Sequence, residues 1–469
     1  MNCNTGFYKK RLFWLFIVII VFLINQLPFL VDMRPVMYDE SHYANTAYNL
    51  VHGNGFFNSI VGTRGNSNFL LPLLTAGVMG IFGCNLFSIR LTAVICGVIT
   101  LVFLSLCMKQ KKVGWKSQAL CFLLFVSLPI FNTIFRFGRP ECASLMCVAG
   151  GLWFYLRYRD EKSWSNMLGL SVFTALAGCA HPYALLIFAL IGLFILIKSI
   201  KDRDIKGIVK LIPLLLAAII AVIAITIVSN IYNIASESYI TDRFSVKDVF
   251  LALPVYIRMA FFSKTTLSFL PLLAVVLVVL FTDKDNRGLA LVGFVYFCVF
   301  PILFSTDLAM IGMGHDYVAL IGLILSASLL ERIINNNMKG LIWMFCLFCA
   351  GALSISYYFN YGVKYEKTNS VLNKELLDVV PQGSKVFGPI RQWPALMQTD
   401  YQSDHTAFPI RNINEYDFFV FNTQDTATKD SSMYAKYQKF FPIDTNMMSL
   451  VYKRNTHQYG EINIYKIGY

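Results

Sequence analysis

The sequence predicts an α-helical polytopic membrane protein that ends in a small extracytoplasmic α+β domain. Three observations predict it. Of 469 residues, 56% are hydrophobic and 14% charged, and the mean hydropathy is +0.57. Several apolar runs approach the ~20 residues needed to cross a hydrocarbon core. Beyond Lys364 these runs give way to short segments rich in β-branched and aromatic residues, separated by turn residues.

The first apolar run, Leu12 to Leu30, has no small-residue cleavage site behind it, so it reads as a retained span. Lys9, Lys10 and Arg11 precede it and place the N-terminus in the cytoplasm. The next basic cluster, "KQKKVGWK" (Lys109 to Lys116), calls for one crossing after the first outer loop. "LFSIRLTAVICGVITLVFLSLCM" supplies it. The shorter "FLLPLLTAGVMGIFG" carries Pro72, Gly77 and Gly80 and reads as a re-entrant or juxtamembrane helix. Further spans are expected near Gln118–Phe135, Cys142–Leu156, Asn166–Ala180, Tyr183–Ile197, Leu211–Ile231, Leu267–Phe281, Leu289–Phe304, Tyr317–Leu330 and Leu341–Tyr357. That makes about eleven by the length criterion. Cytoplasmic loops then hold Arg157, Arg159 and Lys162, "KSIKDRDIKGIVK", Lys284 and Arg287, and Arg332 and Lys339. The C-terminus falls outside.

Two regions follow: residues 1–362, a transmembrane domain that includes a first outer loop over 32–85, and residues 363–469, the outer α+β domain. In the latter, "GSKVFGPI", "YDFFVFNT", "SLVYKRN" and "INIYKIGY" read as strands. The formal charge is +13, from 40 Lys and Arg against 27 Asp and Glu. The basic clusters are short and lie between apolar runs, so they follow the positive-inside rule and do not form a nucleic-acid surface. The 11 cysteines are scattered through apolar runs. Cys346 and Cys349 sit inside one of them, as small packing residues. No Asn is followed by x-Ser/Thr, which leans towards a bacterial envelope.

"MYDESHYANTAYNLVHGNGFF" leaves the first span and at once presents Asp39 and Glu40. Asp39 is placed to N-cap a helix running to Val51, with Gly53 and Gly55 ending it. Tyr43, Ala47, Leu50 and Val51 form one face, as for a helix lying along the membrane boundary. On this helix alone, a cap and a water-facing glutamate explain the two carboxylates as well as a functional role does. Other outer loops add to them. "FRFGRPECAS" brings Arg136, Arg139 and Glu141, "GCAHPYALL" brings His181, and "GMGHDYVAL" brings His315, Asp316 and Tyr317. Each has a plain structural reading: snorkelling arginines, a packed histidine, a helix cap. Together they put carboxylates and cations at one depth on one side, and ionisable groups at membrane depth are functional candidates. A carboxylate can deprotonate a hydroxyl that attacks an anomeric carbon, and cations can take up charge on a leaving phosphate. No Walker A or Rossmann glycine pattern is present.

These residues resemble the membrane glycosyltransferases of the C-type (GT-C) fold. The resemblance is nearest to the dolichyl-phosphate-mannose protein mannosyltransferase superfamily, which includes the bacterial lipid A aminoarabinose transferases. The family's D-E-x-x-Y-x-x-x-A motif is matched by "DESHYANTA" from Asp39 to Ala47, followed by "HGNGFF". Its Pro-Leu segment is matched by "LLPLL", its "fG…aRl" stretch by "IFGCNLFSIRLTAV", and its R-P-D loop by Arg139-Pro140-Glu141. Glu141 replaces the commoner Asp. His181 stands where several relatives have Lys, and His315 where Arg is common. The resemblance covers roughly residues 12 to 200; later spans match by architecture.

The resemblance implies an inverting sugar transfer from a polyprenyl-phosphate donor to an acceptor hydroxyl at the outer face of the cytoplasmic membrane. Asp39 would be the general base. Glu40 would orient the acceptor, hold Asp39 in place or join Asp39 at a divalent metal, a cofactor some relatives use. Arg139, His181 and His315 would cradle the phosphate, with Glu141, Tyr317 and Tyr43 as further substrate contacts. The acceptor could be a lipid, a glycan or a protein, selected with help from the C-terminal domain. The alternatives are a flippase for a lipid-linked glycan, which would need charges lining a path through the spans, and a surface-polysaccharide polymerase or ligase.

Overall fold

The computed structural model describes residues 5–28, 30–32, 36–60, 68–231, 254–258, 266–303, 314–357, 368–403, 415–422, 448–456 and 459–468. A helix stands at each expected span. In chain order these are α1 (Thr5–Gln26), α4 (Leu86–Gln110), α5 (Trp115–Ser127) with α6 (Pro129–Ile134), α7 (Pro140–Asp160), α8 (Trp164–Ala180), α9 (Ala184–Lys201), α11 (Ile212–Ile231), α12 (Thr266–Thr282), α13 (Arg287–Leu303), α14 (Gly314–Asn335) and α15 (Lys339–Tyr357). Between them lie α2 (Tyr38–Val51), α3 (Leu70–Phe82) and the single turn α10 (Ile205–Val209).

Among the described residues, four helical stretches are long and apolar enough to cross a membrane by themselves: Leu86–Gln110, Ala184–Lys201, Ile205–Ile227 and Gly314–Asn335. Other apolar helices are shorter. Pro129 splits the expected span at 118–135, because a proline cannot continue the helix hydrogen bonding of the turn before it. Outer faces are apolar: Leu12, Phe16, Leu215, Trp343 and Leu347 are all exposed, as lipid-facing side chains must be. Helix α14 runs through the middle, with every side chain from His315 to Leu325 buried. It packs on α5, α12 and α13. Where α7 meets α8 and α9, Gly150 and Gly151 give their faces to Phe173 and Phe188, and a Cβ on either would overlap the ring. Small residues at such crossings let helices approach closely.

The charged loops sort to the two ends of the bundle. At one end Gly114 and Ser117 donate to Glu331, Arg332 pairs with Asp283 at 2.9 Å, and Lys162 pairs with Asp204 at 2.6 Å. Helix α7 starts at the other end, beside α2.

The C-terminal region holds α16 (Thr368–Val379) and five strands: β1 (Lys385–Gly388), β2 (Asp400–Ser403), β3 (Phe418–Asn422), β4 (Met448–Thr456) and β5 (Gly460–Ile467). The sheet order is β2-β1-β3-β5-β4; β1 is parallel to β2 and β3, and the remaining pairs are antiparallel. The four expected strands are present. Strand β2, a four-residue edge, was not expected. The expected domain boundary at 362/363 lies outside the described residues.

This sheet does not hang free. Leu372, Leu376, Trp393 and Ile462 share one core with Ala44 and Ala47 of α2 and Ile89 of α4. The Tyr459 hydroxyl accepts from the Val36 amide at 2.8 Å and donates to Asn369 at 2.8 Å. Asp32 accepts from the Ser370 amide at 2.7 Å.

Helix α2 therefore differs from the expected surface helix. Its buried side chains are Glu40, Ser41, Ala44, Asn45, Thr46, Ala47 and Asn49, while Val51 is exposed. Two of the buried polar groups bond to the following loop: Asn49 donates to the Phe57 carbonyl at 2.7 Å, and Asn45 accepts from the Ser59 amide at 2.7 Å. The N-cap is Met37, so Asp39 sits inside the first turn. Glu40, at the third helical position, reaches back to accept from the Met37 amide at 2.9 Å. That bond satisfies the N-cap amide, so the helix start is closed by Glu40 and not by an Asp39 cap. The end of the helix is as expected: Gly53 and Gly55 follow with φ of 75° and 77°.

Candidate active site

Two carboxylates one residue apart on α2 have opposite fates, because successive side chains on a helix point about 100° apart. Glu40 turns inward and is fully buried. Arg90, from α4, meets it at two points: Nε to Oε1 at 2.9 Å and Nη2 to Oε2 at 3.1 Å. Arg90 Nη1 also donates to the carbonyls of Leu30 and Val31 at 2.9 and 3.1 Å. The Gly138 amide adds a longer bond to Glu40 Oε1 at 3.3 Å. One ion pair thus joins the end of the first span, α2, α4 and the loop before α7.

Asp39 turns the other way and stays partly open, with a third of its side chain exposed. It pairs with Arg139 at 3.1 Å, and the same Nη2 of Arg139 reaches Glu141 at 2.9 Å. Arg139 is the N-cap residue of α7, with Pro140 next, so a proline-set helix start fixes where it stands. Gly138 precedes it. A Cβ there would overlap the Ile89 side chain and lie 3.1 Å from the Ile89 carbonyl oxygen, so only glycine lets the loop seat against α4.

Burial raises the Asp39 pKa above the ordinary carboxylate value; Arg139 opposes this, while Glu141 and Glu40 add to the rise. For Arg139, burial works against the charge, but Glu141, Asp39, Asp316 and Tyr43 outweigh it and the pKa is raised. Asp316 and Tyr43 are therefore within electrostatic reach of this arginine. Three polar atoms here are buried without a hydrogen-bond partner among the described residues: Arg139 Nε, Glu141 Oε2 and His315 Nε2. Buried polar groups are almost always paired. The unspent Arg139 Nε and Glu141 Oε2 beside the half-open Asp39 carboxylate mark a place that a ligand can complete.

The expected site residues separate into those that converge and those that do not. Asp39, Arg139 and Glu141 are in direct contact. Tyr43 stands nearby and accepts from Asn68 at 2.9 Å. Tyr317 is buried in the bundle, its hydroxyl sharing a hydrogen bond with Ser144 at 2.7 Å. The His181 ring lies tilted against Tyr183, ring centroids 4.5 Å apart, and its Nδ1 accepts from the Tyr183 amide at 3.4 Å. The His315 ring lies 4.7 Å from Tyr256 and 4.4 Å from Phe269. Arg136 is spent on the carbonyls of Asn25 and Pro28 at 3.3 and 2.9 Å, so it braces the first span.

A metal held jointly by Asp39 and Glu40 does not fit these residues. Both Glu40 oxygens are occupied by Arg90, and the two carboxylates face different neighbours. Among the described residues no three His, Cys, Asp or Glu side chains gather to hold an ion. Sequence reasoning passed over Arg90 as a site residue, although it was the only charge in a long apolar run and such a charge needs a partner. It counted Asp316 among the outer carboxylates but gave it no role in the site.

Residues 67–232 match a family model described as dolichyl-phosphate-mannose-protein mannosyltransferase. That segment contains Arg90, Arg139, Glu141 and His181. No curated protein matches the sequence. Over its whole length the fold is that of ArnT from Cupriavidus metallidurans. The structure of that protein bound to undecaprenyl phosphate superposes with a TM-score of 0.63 at 12% identity, covering 99% of this chain and 98% of the other. Its apo structure gives 0.61 at 11% identity, covering 97% of each. The fold is thus that of a GT-C membrane glycosyltransferase.

Proposed function

We propose that this protein transfers a sugar from a polyprenyl-phosphate carrier to an acceptor hydroxyl, with Asp39 as the base. The observation that carries the reading is the half-open Asp39 carboxylate beside Arg139, with Arg139 Nε and Glu141 Oε2 buried and unpaired next to it among the described residues. The match of residues 67–232 supports glycosyl transfer. The fold shared with a protein solved with undecaprenyl phosphate supports the carrier.

In this reading the acceptor hydroxyl attacks the anomeric carbon and its proton passes to Asp39. The bond between that carbon and the phosphate oxygen breaks on the opposite side, so the configuration inverts and the polyprenyl phosphate leaves. A base works best with a pKa near the operating pH, and burial moves Asp39 in that direction. Arg139 spends one nitrogen on Asp39 and Glu141 and keeps Nε for a phosphate oxygen, where a charge-assisted bond stabilises the leaving group. Glu40 and Arg90 touch neither reactant; they hold the backbone that carries Asp39. The basic loops at the far end argue that this mouth faces away from the cytoplasm, in a bacterial cytoplasmic membrane, with the C-terminal sheet beside the acceptor's approach.

The test uses purified protein in nanodiscs with a polyprenyl-phosphate sugar, following release of the polyprenyl phosphate. Mass spectrometry of envelope glycolipids and glycoproteins from a deletion strain identifies the acceptor class. A reporter fused at Asn54 that reads cytoplasmic would reverse the orientation.

A further inference from the structure

The far end of the bundle holds a cavity of about 130 Å³, walled by the last turns of α7 and α9 and the start of α13. Glu141 and Tyr158 lie on the same helix, 17 residues and so about 26 Å apart. The cavity is therefore separate from the Asp39 cluster and is used by no step above.

Its lining is strongly cationic: Arg159, Lys162, Lys198 and Lys284 against one carboxylate, Asp285. Arg159 pairs with Asp160, and Lys162 with Asp204. Neither Lys198 nor Lys284 has a partner among the described residues. Lysines at the last turn of a helix complement its dipole, which explains Lys198 in part. It does not explain Tyr158. This side chain lines the cavity and is 3% exposed, yet its hydroxyl has no hydrogen-bond partner among the described residues. That hydroxyl lies within electrostatic reach of the Lys162–Asp204 pair. A buried hydroxyl left unpaired beside unspent ammonium groups calls for an anionic acceptor.

The mouth says what kind of molecule carries that acceptor. On the α9 side Leu193, Ile197 and Ile200 are 51%, 57% and 59% exposed, and before Lys284 Phe281 is 76% exposed. These side chains lie on the outer, lipid-facing surfaces of α9 and α12, so the cavity sits among membrane helices at one end of the bundle. Phe194 closes the wall against Gly288, where a Cβ would overlap its ring. Basic pockets between membrane helices bind anionic lipid headgroups.

We propose that this cavity is a binding site for the phosphate-bearing headgroup of an anionic phospholipid in the leaflet opposite the Asp39 mouth. The ammonium groups of Lys198 and Lys284 and the Tyr158 hydroxyl would hold the phosphate, with the acyl chains passing into the surrounding bilayer.

The experiment is native mass spectrometry and thermal unfolding of the delipidated full chain with phosphatidylglycerol, phosphatidylcholine or inorganic phosphate added back. Phosphatidylglycerol should remain bound and raise the melting temperature, and phosphatidylcholine should do so far less. A Lys198→Gln/Lys284→Gln double variant should bind phosphatidylglycerol roughly thirtyfold more weakly, at the usual contribution of a surface lysine to anionic lipid binding. Tyr158→Phe should weaken it without changing the fold. Lys112→Gln/Lys116→Gln, which removes equal charge away from the cavity, should bind as wild type. Equal binding by the Lys198/Lys284 double variant and wild type overturns the site. An equal stabilisation by inorganic phosphate overturns the lipid as its ligand.

Discussion

Glu40 and Arg90 form a buried two-point ion pair, at 2.9 and 3.1 Å, on the helix that carries Asp39. Breaking a buried pair by removing one partner leaves an uncompensated charge and costs about 3–5 kcal/mol. Arg90→Met strands the Glu40 carboxylate and frees two carbonyls, so its cost should reach that range. Glu40→Gln keeps an acceptor for Arg90 and should cost less. Melting temperatures of the two purified variants in one detergent check the order. A harmless Arg90→Met would mean the pair bears no structural weight.

The loop before α7 gives a second prediction. Gly138 seats against Ile89, and its neighbour Arg139 faces Asp39. Gly138→Ala should push the loop outward and raise the KM for donor at least tenfold while the protein still folds. Donor kinetics and a melting curve on the same sample decide it; unchanged kinetics would separate the seat of Gly138 from the site.

pH dependence follows from the raised Asp39 pKa. The active form is the carboxylate, so kcat/KM should fall as pH drops through a value above the ordinary ~3.9 of aspartate. Arg139 is the group that lowers it, so Arg139→Gln should move that acidic limb to higher pH. The sign for stability is opposite. A carboxyl whose folded pKa exceeds its unfolded one binds its proton more tightly in the fold, so its unfavourable contribution at neutral pH disappears as pH falls through the folded value. A pH–rate profile of Arg139→Gln that shifts to lower pH would contradict the arrangement.

The contact between the outer sheet and α2 predicts a remote effect. Tyr459→Phe removes a hydroxyl shared by the Val36 amide and Asn369, and an unsatisfied buried group costs about 1–3 kcal/mol. The variant should melt earlier. Limited proteolysis should cut near 368–379 faster than in wild type. Equal digestion of both would show that the sheet is held without this bond.

Much of this was legible in the sequence because hydrophobic runs and basic clusters report directly on the membrane. The places of the helices, the positions of four of the five strands and the Asp39–Arg139–Glu141 group all came from such local patterns. What was missed depends on contacts far apart in the chain. Asp39 was read as a cap, but the cap is set by Glu40 reaching back to Met37. The apolar stripe of α2 was assigned to the membrane surface; burial instead follows Ala44, Asn45 and Asn49, because the loop at 57–59 and the C-terminal sheet cover that face. Arg90 carried a signal, a single charge in an apolar run, whose partner lies 50 residues away. Strand β2 reads DYQS, with no β-branched residue, whereas the equally short β1 reads KVFG, so its composition gave little strand signal.

The most direct test of the account is turnover by Asp39→Asn. Asp39 does not cap the helix and Asn keeps its shape, so the melting temperature and the binding of polyprenyl phosphate should stay near wild type. Sugar transfer should fall on the order of 10²–10⁴-fold, the usual contribution of a general base. Near wild-type turnover in a folded, donor-binding Asp39→Asn protein would contradict the assignment of Asp39 as the base.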